Sequence, residues 1–324
     1  SALPATSSQT ADRSSLDWGE HHEWIWRGLP CHWRCLGPEQ GQPLLLLHGF
    51  GASSEHWRRC APSLAERGYR VFSLDLIGFG RSAQPGLAME RPLDNRLWGR
   101  QVSAFLQEII QRPSVLIGNS LGGLAALTAA VLNPSWVAVV VAAPLPDPAF
   151  VTPVPSRRGP LRRRWTRWGL HGFFRVFPLE LLLPFISRTP LLRAGLQGAY
   201  SCSIGDDVDL QRSIRRPALR PTAARALRSM CIGMGLRPRG ATAPALLQQL
   251  EQPMLLIWGV QDRFVPFALG QRIRQQHPKI DLLPIDHCGH CPHDECTKSF
   301  IEQLLPWLDR NLGERRPAGP DHRR

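Results

Sequence analysis

The sequence predicts an α/β protein: a mostly parallel, doubly wound sheet with a helical cap inserted between two of its strands. Three observations predict it. Short apolar runs rich in β-formers alternate with helical patterns, as expected for a parallel sheet covered on both faces. The alternation stops between Pro144 and about Ala245, in a stretch rich in Pro, Leu and Arg that holds helical patches and no convincing strand. With 324 residues, 43% of them hydrophobic and 20% charged, the chain can bury one large core and is not disordered throughout.

The elements follow in order. His22–Trp26 and Cys31–Leu36 open the sheet, and the nearly pure apolar run Pro43–Leu47 ends at His48-Gly49-Phe50-Gly51. Tyr69–Leu74 leads into Asp75-Leu76-Ile77-Gly78-Phe79-Gly80-Arg81-Ser82. Val115–Gly118, Trp136–Ala142, Met254–Trp258 and Ile280–Ile285 complete the set of strands. Helical spacing marks Trp57–Arg67, Arg96–Gln111, Leu121–Leu132, Phe267–Gln276 and Thr297–Asn311. The expected division is a core of residues 21–143 and 247–312, a cap of residues 144–246, a flexible segment 1–20 and a disordered tail 313–324.

Between Arg112 and Asp147 the chain carries no charge. Gly118-Asn119-Ser120, Gly122-Gly123 and Asn133-Pro134 break this stretch at intervals too short for one lipid-spanning helix. It reads as strand, turn, helix, turn, strand, and no transmembrane helix is expected. Residues 1–20 are polar and carry Asp12, Asp17 and Glu20, unlike a secretory signal or transit peptide. Eight cysteines in a chain of this length are too sparse for a disulfide scaffold and read as mostly free thiols in a reducing compartment.

The chemistry concentrates after the strands. Gly118-Asn119-Ser120-Leu121-Gly122 fits Gly-x-Ser-x-Gly between a strand and a helix. A serine at such a strained turn has its hydroxyl forced clear of the sheet, and side chains two residues either side would clash, hence Gly118 and Gly122. The following helix aims its first amides at developing negative charge. A serine nucleophile needs a base, and the base needs an orienting acid. Asp262 follows one predicted strand and His290 the next, so both fall at the carboxyl ends of neighbouring parallel strands. The chain order Ser120, Asp262, His290 is the one that accompanies this turn. Asp147 is the alternative acid, and His287 and His293 flank His290. The oxyanion is expected to rest on the backbone N–H groups of Leu121 and Phe50. The side chains of Phe50, Phe264 and Val265 are candidates to line the substrate pocket. No cofactor and no metal are expected.

His-Gly-Phe-Gly, Asp-Leu-Ile-Gly-Phe-Gly-Arg-Ser, Gly-Asn-Ser-Leu-Gly-Gly, Asp-Arg-Phe-Val-Pro and Gly-His-Cys-Pro-His-Asp-Glu occur in the order of the α/β-hydrolase superfamily. The resemblance spans roughly residues 43–143 and 252–310, and the cap carries little of it. Within the superfamily the chain most resembles the α/β-hydrolases of photosynthetic organisms, the group containing pheophytinase and chlorophyll dephytylase. His48–Trp57 (HGFGASSEHW) and Gly289–Glu295 (GHCPHDE) carry that likeness. It implies a serine esterase acting on a hydrophobic ester, with the phytyl ester of chlorophyll or pheophytin as the sharpest candidate. It also implies a location in the cytoplasm or at the surface of an internal photosynthetic membrane. Relatives that use an aspartate nucleophile are set aside because the position is Ser120. Carbon–carbon bond hydrolases of this fold are the second reading, although they usually carry Trp after the histidine, where this chain has Cys291. From another class, a hydrolase-like binding protein without turnover is the alternative.

Two further signals compete with the hydrolase reading. Cys288-Gly289-His290-Cys291, with His293 and Cys296, mimics a redox motif or half a zinc site, but it lacks the helix-opening context and a second knuckle. Formal charge is +13, and only Lys279 and Lys298 are lysines, so 37 of the 39 basic residues are arginine. Arg157, Arg158, Arg162, Arg163, Arg164 and Arg167, interleaved with Trp165 and Trp168, form the densest basic run. It reads either as a solvated helix face or as a peripheral contact with an anionic membrane, and nucleic acid is the least favoured partner.

Overall fold

A computed structural model of the chain describes residues 16–86, 93–154 and 159–313. Among these residues eight strands form one sheet: β1 (Glu20–Trp26), β2 (Leu29–Leu36), β3 (Pro43–Leu47), β4 (Arg70–Leu74), β5 (Ser114–Gly118), β6 (Val137–Ala142), β7 (Met254–Gly259) and β8 (Asp281–Ile285). Their spatial order is β1-β2-β4-β3-β5-β6-β7-β8. The pairs β1–β2 and β2–β4 are antiparallel and all others parallel.

The apolar run Pro43–Leu47 is unbroken because β3 is buried on both faces. Leu45 and Leu47 join one core cluster while Leu44 and Leu46 join the other, following the period of two along a strand. On the first face lie α2 (Asn95–Phe105), which continues as a wider turn through Ile110, α3 (Leu121–Leu132), and later α9 (Ala243–Gln249) and α10 (Phe267–Gln276). The second face is covered by α1 (Cys60–Glu66) and by α12 (Thr297–Leu312), which follows the short α11 (Pro292–Glu295). Helix α3 is buried along nearly its whole length, so it is apolar all round rather than amphipathic. Each leucine so enclosed contributes roughly 1.5–3 kcal/mol relative to an exposed one.

Between β6 and β7 the chain leaves the sheet. Here lie α4 (Pro160–Val176), α5 (Leu179–Arg188), α6 (Pro190–Gly198), α7 (Val208–Ala218) and α8 (Ala223–Leu236). The expected flexible segment 1–20 needs one correction. Leu16 and Trp18 are buried, Arg34 donates to the Leu16 carbonyl at 2.7 Å, and β1 already begins at Glu20. The ends 1–15 and 314–324 lie outside the described residues. Among the described residues no single helix is long and apolar enough to cross a membrane.

The order of strand addition reverses at β3: β4 lies on one side of it and β5 on the other. The carboxyl ends of β3 and β5 therefore border a crevice, the usual place for a ligand in such a sheet. The loops after these two strands carry Phe50 and Ser120.

Candidate active site

Ser120 occupies the sharp turn between β5 and α3 with φ 55° and ψ −114°, a conformation a serine adopts only under constraint. The constraint comes from both sides. A Cβ at position 118 would lie 2.1 Å from the Gly122 carbonyl carbon, and one at 122 would lie 2.1 Å from the Leu47 carbonyl oxygen. Only glycine lets β5, the turn and the start of α3 stack this closely. Asn119 fastens the turn: its backbone N–H donates to Leu47 O at 2.9 Å, and its side-chain amide donates to Ala143 O at 2.7 Å and His290 O at 3.0 Å.

Ser120 Oγ lies 3.0 Å from His290 Nε2, and His290 Nδ1 lies 2.8 Å from Asp262 Oδ2. The other oxygen of Asp262 accepts from the N–H groups of Phe264 and Val265, each at 2.9 Å. With both carboxylate oxygens engaged, Asp262 presents one fixed edge to the imidazole. This pattern assigns the proton to Nδ1 and leaves Nε2 to accept from the Ser120 hydroxyl. All three side chains are largely buried, with Ser120 itself 8% exposed. Low dielectric strengthens hydrogen bonds placed in this way.

Among the described residues, the backbone N–H groups of Phe50 and Leu121 have no partner. Phe50 is exposed and sets its ring edge-on to Phe79, with centroids 5.6 Å apart. The exposed ring of Phe264 lies 5.3 Å from that of His290. Val265 differs. Its side chain packs on the main core, and its backbone N–H and carbonyl serve Asp262 and Trp258, so it supports the acid.

Asp147 is committed elsewhere. It pairs with Arg237, caps a short turn through Ala149 N at 2.9 Å, and accepts from Ala243 N at 2.8 Å, which ties the end of the cap to the core. His287 lies at the surface with φ 54°, and His293 is wholly buried.

His293 belongs to a buried network that the sequence reading did not assemble. Its Nε2 lies 3.3 Å from His56 Nδ1, His56 Nε2 lies 2.7 Å from Tyr200 Oη, and Tyr200 donates to Asp294 Oδ2 at 2.7 Å. Arg58 donates to both oxygens of Asp294, at 2.9 and 3.0 Å, and to both oxygens of Asp207, at 3.0 and 2.7 Å. Because the Tyr200 proton goes to Asp294, His56 must donate through Nε2 and accept through Nδ1 from a neutral His293. Burial favours this: it pushes His56 down to about 4 and holds His293 well below the usual histidine range. The two stretches HGFGASSEHW and GHCPHDE meet here, with the Trp57 and His293 rings 4.2 Å apart. Their shared signal was visible in the sequence; their pairing, and the cap residues Tyr200 and Asp207 between them, was not.

Glu295, the last residue of GHCPHDE, has a role that the motif alone does not reveal. One oxygen accepts from Gly289 N at 2.9 Å, and the other from Ser201 N at 2.8 Å and Cys202 N at 2.9 Å. His290 N donates to Ala199 O at 2.8 Å, so the histidine loop is stitched to the cap by its backbone. These bonds bear on the metal question. Ligand atoms of Cys288, Glu295 and Cys296 lie within 4.8 Å of one another. Glu295 is occupied by amides, Cys291 packs with Ala199, Tyr200, Ile204 and Leu210, and His293 faces His56. The cysteines and histidine that looked like one cluster in sequence therefore point into three different environments.

The chain belongs to the alpha/beta hydrolase family, whose sequence profile matches residues 44–303. It is similar to the pimeloyl-[acyl-carrier protein] methyl ester esterase of Vibrio cholerae, with 26% identity over 87% of this chain and 99% of that protein. It is 27% identical to a 2-hydroxy-6-oxononadienedioate/2-hydroxy-6-oxononatrienedioate hydrolase of Cupriavidus pinatubonensis, over 82% of this chain and 86% of that one. Against the chloroplastic pheophytinase of Arabidopsis thaliana the identity is 27%, over 89% of this chain and 66% of that protein.

Proposed function

We propose that the protein is a serine hydrolase that cleaves a carboxylic ester of a hydrophobic substrate through an acyl-enzyme. The observation that carries this reading is the unbroken hydrogen-bond path from Ser120 Oγ through His290 to Asp262. Ser120 Oγ attacks the acyl carbon while His290 Nε2 takes its proton. Asp262 holds the imidazole and stabilises its cation. The N–H groups of Phe50 and Leu121 receive the oxyanion, and the first turn of α3 adds its dipole. His290 returns the proton to the leaving alcohol, and water then resolves the acyl-enzyme by the same route in reverse.

Phe50 and Phe264, both exposed beside the serine and histidine, favour an apolar substrate. The similarity to pheophytinase, together with HGFGASSEHW and GHCPHDE, makes the phytyl ester of chlorophyll or pheophytin the leading candidate. The similarity to a dienedioate hydrolase favours a second reading, cleavage of a carbon–carbon bond next to a carbonyl by the same groups.

The test is incubation with pheophytin, chlorophyll, simple aryl esters and a 2-hydroxy-6-oxo dienoate, followed by separation of the products. Release of phytol or an aryl alcohol supports the ester reading, and cleavage of the dienoate alone replaces it. Ser120→Ala should lower turnover on the order of a million-fold if the three residues act as a unit. A fluorophosphonate probe that fails to label Ser120 would point to a binding protein without turnover.

A further inference from the structure

We infer that the outer face of α4 is a docking surface for an anionic lipid bilayer. Helix α4 is apolar on two opposite sides. Thr166, Leu170, Phe174 and Phe177 form the inner side; they are half-buried. Leu170 packs at Gly235 of α8, while Arg228 of α8 donates to Phe174 O at 2.7 Å. That face secures the helix to α8.

Among the described residues the opposite stripe is left largely uncovered. Leu161, Trp165, Trp168 and Val176 recur at i, i+4, i+7 and i+15, which places them on one side of a helix. They are 70%, 67%, 71% and 83% exposed. The two indoles meet edge to face with centroids 6.0 Å apart, so they form a patch rather than scattered side chains. On the neighbouring α5, Leu181 and Phe185 are exposed as well.

Charge selects the occupant. By helical position Arg164 and Arg167 flank one edge of the stripe and Arg162 the other, while Arg163 falls on the opposite side of the helix; all four are exposed. No acidic residue occurs in α4. Of the six arginines in the predicted basic run, Arg157 and Arg158 lie outside the described residues. Tryptophans on the apolar stripe with arginines along its borders suit the headgroup zone of a bilayer rich in negative lipids, where the indoles enter the interface and the guanidinium groups pair with phosphates. The arrangement fits a helix lying in the interface. Pro160–Phe174 and Leu179–Arg188 together have the length and composition of a span but bend by 55° at the break, and the inner side of α4 is already packed on α8.

Flotation with vesicles of phosphatidylcholine alone, or of phosphatidylcholine mixed with phosphatidylserine, tests this. The full chain should float with the mixed vesicles and not the neutral ones, and binding should fall at least tenfold in about 1 M salt, where the screening length is about 3 Å. An alkaline carbonate wash should release it. Trp165→Ser/Trp168→Ser, and separately the combined Gln substitutions of Arg162, Arg164 and Arg167, should each weaken flotation at least tenfold. Ser120→Ala should float like the wild type. Unchanged circular dichroism and melting temperature show that the variants are folded. Equal binding to both vesicle types, or resistance to the carbonate wash, would overturn the proposal. So would a stable dimer in sedimentation that the tryptophan variant dissolves, or a preference for oligonucleotide over vesicles.

Discussion

Arg58 and Asp294, 236 residues apart in sequence, are joined by two hydrogen bonds of 2.9 and 3.0 Å inside the protein, directly behind the histidine loop. Asp294 has no exposed side-chain surface, and Arg58 donates two further hydrogen bonds to Asp207 at the start of cap helix α7. One guanidinium thus links the loop after β3, the loop after β8 and the cap. Burial opposes the Asp294 charge; His56 and Arg58 outweigh it and hold the carboxyl below the usual range.

The first prediction concerns that link. Arg58→Ala leaves a wholly buried carboxylate without its cation and is expected to cost about 3–5 kcal/mol. Asp294→Asn should cost less, because Arg58 keeps Asp207. Urea unfolding of both variants and of the double variant Arg58→Ala/Asp294→Asn measures the coupling. If the double variant loses the full sum of the single costs, the pair does not act as a unit.

A second prediction concerns pH. His56 sits at about 4 in the folded protein because burial disfavours its cation, while the unfolded chain titrates near the ordinary histidine value of 6.5. Between those values the unfolded state binds the proton and the folded state does not. The contribution of His56 to stability is therefore complete above about 6.5 and is lost progressively as pH falls toward 4, about 3 kcal/mol in all. His293, also held well below the usual histidine range by burial, adds a loss of the same sign. Stability measured from pH 7 to 4.5 should decline with a slope that His56→Gln reduces; an unchanged slope would remove His56 from the account.

Two aspartates can be told apart directly. Asp262→Asn keeps the shape but disturbs the tautomer of His290, and should lower kcat about 10,000-fold. Asp147→Asn loosens the Arg237 pair instead. It should lower the melting temperature while leaving kcat within about threefold at a temperature where the variant is folded. The opposite result in an ester assay would exchange their roles.

Backbone crowding gives the fourth prediction. Gly122→Ala drives a methyl group to within 2.1 Å of the Leu47 carbonyl oxygen and should prevent soluble expression or abolish activity. Gly172→Ala, on exposed α4 with nothing within 4 Å, should leave activity intact and stabilise by about 0.5–1 kcal/mol. A soluble, active Gly122→Ala would show that the turn relaxes more than its geometry allows.

The sequence by itself determined the alternation of strands and helices and the cap between β6 and β7, and it pointed to Ser120 and His290 with Asp262 or Asp147 as the acid. Those features are written locally: period-two burial on β3, a glycine-flanked serine before α3, an aspartate and a histidine just past successive strands. Tertiary structure alone decided which neighbours each polar group would have. It turned Asp147 toward Arg237, gave Val265 to the core, and dispersed the apparent cysteine–histidine cluster. It also brought Tyr200, Ser201 and Asp207 from a distant segment to meet His56, Arg58, Asp294 and Glu295 around the histidine loop. The physical reason is that burial and periodicity are properties of a short stretch of chain, whereas a buried charge or imidazole is satisfied by whichever partner folding brings within about 3 Å, at any separation along the sequence.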